Sequence, residues 1–221
     1  MRYDLTETMR TIDKTTWARR RHFELFRAMD FPYSSLCANV DVSRLHRAAK
    51  ERGLSFTVSL VHALSTAANA LPEFRQRIRG DDVVEHAVVH PSLTVLAEGD
   101  LFGFCLVPYS ENLAAFAAAA ERAIARAKVS PTLEDEPGRD DLLYLTGVPW
   151  VSFTALGHPM HLSPGDSIPR IAWGRFFFPE GGRLLMPLSV QVHHALVDGV
   201  HLGRFYERAQ EELDRLDRRV A

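Results

Sequence analysis

Apolar residues recur at helix-compatible intervals in Thr16 to Met29 (TWARRRHFELFRAM), through Trp17, Phe23 and Phe26, and the spacing predicts a first helix. Ser34 to Val42 is mostly small and β-tolerant and reads as a strand. Ser43 is placed to cap a helix over SRLHRAAKER, with Gly53 as its stop. Thr57 to Leu71 (TVSLVHALSTAANAL) is a more apolar helix, ended by Pro72. Extended pieces follow: VVEHAVVH, SLTVLAEG and LFGFCLVP, the last two split by Gly99-Asp100 in the manner of a hairpin. Asn112 to Lys128 is alanine-rich and helical, and Ser130 to Asp141, acidic with two prolines, reads as a surface loop. LLYLTGVPWVSF is a strand entering a proline-broken segment, and Gly157 to Arg170 is a polar loop. IAWGRFFFPEGGRLLMPLSVQVHH then reads as a long β-hairpin turning at Glu180-Gly181-Gly182. A final helix runs from about Gly199 to Arg218. Interleaved helices and strands, without an internal repeat, are most economically arranged as one mixed sheet covered by helices.

The same alternation separates two adjacent histidines near the end of the hairpin, in QVHHALVDGVHLGRF. Side chains alternate along a strand. Counting back from His194 gives Val192, Val190, Leu188, Met186 and Leu184, an apolar row. Counting back from His193 gives Gln191, Ser189 and Pro187, a polar row. His194 therefore stands at the end of a hydrophobic face, and needs a reason to be there.

Composition narrows the context. The chain has 221 residues, 46% hydrophobic and 24% charged, with a net charge of -2. That length suits one large domain or at most two small ones and buries a self-supporting core. The near-neutral balance argues against nucleic acid or an anionic membrane as partner. Arg19, Arg20 and Arg21 read as a solvated helix face. Of the two cysteines, Cys105 lies in an apolar run and reads as a structural thiol rather than half of a bridge with Cys37. The first ten residues, MRYDLTETMR, lack an apolar signal region, and no run approaches the ~18 apolar residues that span a bilayer. The expectation is a reduced, cytoplasmic protein.

Three readings of the histidine stretch compete. His194 is a core histidine satisfied by backbone, with Asp198-Gly199 a turn and helix start. Or His193, His194, Asp198 and His201 hold a metal ion, against which adjacent strand histidines diverge. Or His194 is a general base, suited by an ordinary pKa of about 6.5 and an apolar setting that disfavours its charged form, with Asp198 bracing the turn through a distant arginine and capping the next helix. On the same footing His158 and His161 read as surface residues, and His62 as a core histidine.

VQVHHALVDGVHLGRF resembles the signature of the chloramphenicol acetyltransferase family: two histidines, three residues, then aspartate and glycine. That motif is shared with condensation domains of peptide synthetases and with the acyltransferase core of pyruvate dehydrogenase-type complexes. TWARRRHFELFR, VPYS, TGVPWVSF and the hairpin ending GGRLLMPLSVQVHH also fall in the family's order, so the similarity runs over nearly the whole chain, read as a single such domain over residues 1–221. The resemblance implies an α/β two-layer sandwich, a mixed sheet covered by helices, assembled as a homotrimer with active sites at the subunit interfaces. It implies acetyl-CoA as co-substrate, no metal, and a hydroxyl of chloramphenicol as acceptor. His194 is the implied general base, without an acyl-enzyme, and Thr146 the implied oxyanion donor where the family has serine. Asp198 and Arg19 are the implied structural ion pair.

The acceptor side is implied at Phe26, Leu25, Phe102, Ala172 and Arg170, and the coenzyme side at Phe176, Arg175 and Trp150. Here the sequence departs from the family. A tyrosine that contacts the drug maps to Phe26, a threonine that holds a water maps to Ala172, and Phe176 takes an aromatic position near adenine. For Trp150 taken by itself, plain core packing is the expectation. The departures keep two alternatives open: the same chemistry on another hydroxyl or amine, and a catalytically silent trimer that binds CoA or another ligand.

Overall fold

A computed structural model describes residues 9–134, 136–162, 165–179 and 181–218. Among these residues nine strands and six α-helices are interleaved: β1 (Met9–Thr11), α1 (Arg20–Arg27), β2 (Tyr33–Asp41), α2 (Ser43–Glu51), α3 (Phe56–Asn69), α4 (Pro72–Arg75), β3 (Gln76–Arg79), β4 (Asp82–His86), β5 (His90–Leu96), β6 (Phe102–Leu106), α5 (Leu113–Val129), β7 (Leu142–Val148), β8 (Arg170–Gly174), β9 (Leu185–His193) and α6 (Gly199–Arg218). Six strands form the main sheet in the order β2-β9-β8-β7-β5-β6, and β1-β4-β3 form a small second sheet. In the main sheet β5–β7 and β7–β8 run parallel and the other pairs antiparallel, so it is mixed as expected. The β5–β6 hairpin turns at Gly99, in the left-handed region with φ 72°.

Alternation across the paired strands sorts the sheet into two faces. Leu93, Val95, Leu143, Leu145, Ile171, Leu188, Val190 and Val192 form one face, buried in a common core with residues of α2, α3, α5 and α6. Helices on that single face make a two-layer α/β sandwich. The other face carries Ser92, Thr94, Tyr144, Thr146, Arg170, Ala172, Ser189, Gln191 and His193.

Local chemistry accounts for the ends of the elements. Ser55 and Asn112 accept backbone N–H groups at the starts of α3 and α5. Ser43 does not cap α2; its hydroxyl accepts the Leu184 N–H, while the Asp41 carboxylate takes the Ser43 N–H. Gly53 closes α2 with φ 64°. The helix expected over Thr16 to Met29 is shorter, because Asp13 draws Thr15 and Thr16 into a side-chain-bonded turn ahead of it. Pro72 ends α3 but also begins α4, and VVEHAVVH is split between β4 and β5. The β8–β9 hairpin is present; Glu180, expected in its turn, lies outside the described residues. Both cysteines are free, and Cys105 is buried. Among the described residues no helix is long and apolar enough to cross a membrane.

Candidate active site

The segment after β9 is a tight turn. Leu196 and Val197 N–H donate to the His193 carbonyl, and His194 N–H donates to the Pro32 carbonyl. Ala195, Leu196 and Val197 are fully buried, which anchors the turn against the core. The strand ends at His193, so the alternation that placed His194 at the end of an apolar row stops one residue short of it. His194 instead leaves the sheet, half-buried, and stacks face to face on Phe26, with ring centroids 3.8 Å apart and planes 8° apart. The stacking fixes the plane of the imidazole. Its Nδ1 lies 3.3 Å from Asp198 Oδ1 and is buried without a hydrogen bond.

Asp198 is committed elsewhere. Both its carboxylate oxygens take the guanidinium of Arg19, one from Nη1 and the other from Nη2 at 2.9 Å, and Arg19 also approaches the Ala195 carbonyl. Hydrogen bonds from Arg19 hold the Asp198 carboxyl below its ordinary range, against the opposing effect of burial. The side chain therefore does not cap α6; the Asp198 carbonyl starts that helix by accepting the Leu202 N–H. A residue read as part of a solvated arginine run is thus pinned, over 179 positions of sequence, to the histidine turn.

The row that reads as polar in the sequence is also buried. Loop residues before β8 cover it: Ser189 Oγ donates to the Leu156 carbonyl, and the His158 N–H donates to Gln191 Oε1. His193 lies under this loop with its Nδ1 taken by the Ala195 N–H, and burial pushes its pKa down to about 4. His158, expected at the surface, is substantially buried too and is pushed down to about 4 by desolvation and then by Arg170. His62 is a core histidine bonded to the Ser110 carbonyl, and His161 is exposed. A four-residue metal site is not assembled: His193 Nδ1 and His201 Nδ1 both accept backbone N–H groups, and Asp198 is paired with Arg19.

Thr146 lies on the open face of β7, and its hydroxyl accepts from Thr94 at 3.3 Å. Thr94 was not singled out from the sequence; only the parallel register of β5 and β7 brings the two together. Thr146 and His194 are not in contact within one chain. Thr146 is opposite Ala172, which is opposite Ser189, and His193 lies four residues further along β9. Two strand spacings of about 4.8 Å and four residues of about 3.3 Å put the backbones roughly 16 Å apart.

The remaining expected residues divide. Leu25 (58% exposed) and Phe102 (47%) are open surface. Ala172 is fully buried and offers nothing to an acceptor, because Thr146 and Ser189 flank it on neighbouring strands. Arg170 is buried as well, its guanidinium bonded to Asp166 and the Ile168 carbonyl of the covering loop and lying over the Tyr144 ring. Phe26 spends its ring face on His194. Trp150 is 65% exposed and is not core, since the chain turns out of the sheet after β7. Arg175 is exposed, and its N–H donates to the carbonyl of Val151, the residue after Trp150. Phe176 meets His46 and Phe56 edge to face, a partly exposed aromatic cluster whose other two members the sequence did not reveal.

Comparison with known proteins agrees with this architecture. A chloramphenicol acetyltransferase 2 of Escherichia coli is 31% identical over 209 residues, covering 93% of this chain and 97% of its own. A chloramphenicol acetyltransferase of Bacillus pumilus is 28% identical over 193 residues, 86% of this chain and 87% of its own. A solved chloramphenicol acetyltransferase structure superimposes with a TM-score of 0.84 at 28% identity, over 93% of this chain and 99% of that one. The sequence family described as chloramphenicol acetyltransferase matches residues 8–210. With the mixed sheet, the stacked histidine and the Arg19–Asp198 pair in place, the chain belongs to the chloramphenicol acetyltransferase family.

Proposed function

We propose that this protein transfers the acetyl group of acetyl-CoA to a hydroxyl of chloramphenicol in a ternary complex, with His194 as general base. The observation that carries the reading is the imidazole itself: plane fixed by Phe26, turn anchored through Asp198 and Arg19, and side chain still 31% exposed. In the reaction Nε2 accepts the hydroxyl proton as the oxygen attacks the thioester carbonyl. The tetrahedral oxyanion takes a hydrogen bond from the Thr146 hydroxyl, whose own oxygen is occupied by Thr94. Collapse expels CoA as thiolate, which recovers the proton from the imidazolium. Holding both substrates together contributes proximity.

The separation of roughly 16 Å between Thr146 and the end of β9 within one chain favours a homotrimer in which His194 of one copy faces Thr146 of the next. Leu25 and Phe102 then line the acceptor side, and Trp150, Arg175 and the Phe176–His46–Phe56 cluster offer an apolar and cationic approach for the coenzyme. The reading takes residues 1–221 as one such domain, working in the cytoplasm without a metal.

A second reading keeps the chemistry and changes the acceptor to another alcohol or an amine, because neither Phe26 nor Ala172 supplies a polar contact. Release of free CoA thiol from acetyl-CoA decides between them. Chloramphenicol-dependent release that disappears in His194→Ala is the expected result. Release only with other acceptors transfers the case to the second reading, and no release with any acceptor refutes both in favour of a silent ligand-binding trimer.

A further inference from the structure

His201 is the histidine of the motif that the reaction above does not use, and it is almost wholly buried behind the catalytic turn. Asp198 stands just before α6, so His201 is the third residue of that helix. At an ordinary helix start this position often holds a glutamate or glutamine that reaches back to accept the N–H of the residue before the helix. Here the His201 Nδ1 accepts the Asp198 N–H at 2.9 Å. An imidazole nitrogen accepts only when it carries no proton, so the ring proton must sit on Nε2. Nε2 faces the Glu73 carboxylate of α4 at 3.4 Å.

We infer that His201 is a positioning residue for acetyl transfer: its imidazole closes the turn between β9 and α6 by accepting the Asp198 N–H, with Glu73 fixing the tautomer. The inference rests on the reading of His194 as base. With its N–H held from behind, Asp198 turns its carboxylate toward Arg19 and the His194 ring. The groups around His201 oppose one another. Burial pushes its pKa down, Glu73 and Asp198 favour its charged form, and Arg19 and Arg204 disfavour it. A proton added at Nδ1 would set two N–H donors against each other and release the turn.

The test compares His201→Leu and His201→Gln by steady-state kinetics at pH 7.5, with a ¹⁵N NMR measurement of the wild-type ring. Leucine removes the acceptor, and kcat falls roughly 10- to 100-fold, as for misplacement of a catalytic group, with both KM values within about twofold. Glutamine, the ordinary capping residue, restores kcat to within a few-fold. NMR finds Nδ1 unprotonated. A glutamine variant as slow as the leucine variant overturns the proposal, as does unchanged kcat in His201→Leu or a proton on Nδ1. Should the leucine variant fail to fold, the glutamine variant and the tautomer decide. Wild-type protein without thiol release refutes the acetyl-transfer reading instead, and the tautomer still decides whether His201 is the cap.

Discussion

Replacing Arg19 by methionine tests the frame of the catalytic turn. The substitution keeps most of the side-chain volume and removes a bidentate, largely buried partner of Asp198. Stranding a fully buried charge costs ~3–5 kcal/mol. The two side chains retain 15% and 25% of their exposure, so water recovers part of that penalty and the expected loss is about 2–3 kcal/mol at neutral pH. The pH dependence carries a sign. The carboxyl of Asp198 is held below its ordinary value, so the pair's contribution is complete above the unfolded value near 3.9 and declines as pH falls through the lowered folded value. Arg19→Met should therefore be most destabilising above about pH 5 and progressively less so in more acid solution. Urea unfolding of both proteins at matched protomer concentration, at several pH values, reads this directly, and kcat should fall with stability because the turn carries His194. A difference below ~0.5 kcal/mol at pH 7.5, in the range of an exposed pair, would refute the reasoning. So would a difference that does not shrink toward acid.

Other perturbations separate chemistry from architecture. Thr146→Val should lower kcat by about 10²–10³, and Thr94→Val by less while Thr94→Ser recovers it; equal losses in kcat from Thr94→Val and Thr94→Ser would exclude a role for the Thr94 hydroxyl in orienting Thr146. His193 and His158 are each pushed down to about 4, chiefly by burial. The unfolded chain therefore takes up protons first, and stability should fall as pH drops from about 6.5 toward 4; a flat urea midpoint over that range would contradict it. Gly174→Ala sets a methyl 2.7 Å from the Val151 carbonyl and 2.8 Å from Pro187 Cγ. It should cost about 1–3 kcal/mol and disturb the segment that follows Trp150, measured as a lower unfolding midpoint with a raised KM for acetyl-CoA.

Much of this was legible along the chain because the determinants are local. Strong periodicity marked α3, α5 and α6, and alternation marked β9, since one face of each must be buried whatever packs on it. Short pieces such as β1 and β3 escaped, because their pairing is decided by partners distant in sequence rather than by their own pattern. The exposure of Trp150 and the burial of Arg170 and His158 escaped for a related reason: loop packing over a sheet face leaves no period in the sequence.

The sequence by itself determined the longer elements, the apolar face of the sheet and, through its resemblance to a known family, the histidine most suited to act as base. Tertiary structure decided where that histidine points. Alternation ends where the strand ends, and beyond His193 the ring's direction is set by Phe26, Pro32 and Asp198, which reach it from other parts of the chain. Hydrogen bonds and stacking act over a few ångströms of space, whatever the separation in sequence, so only the folded chain brings Arg19, Asp198 and His201 to bear on one turn.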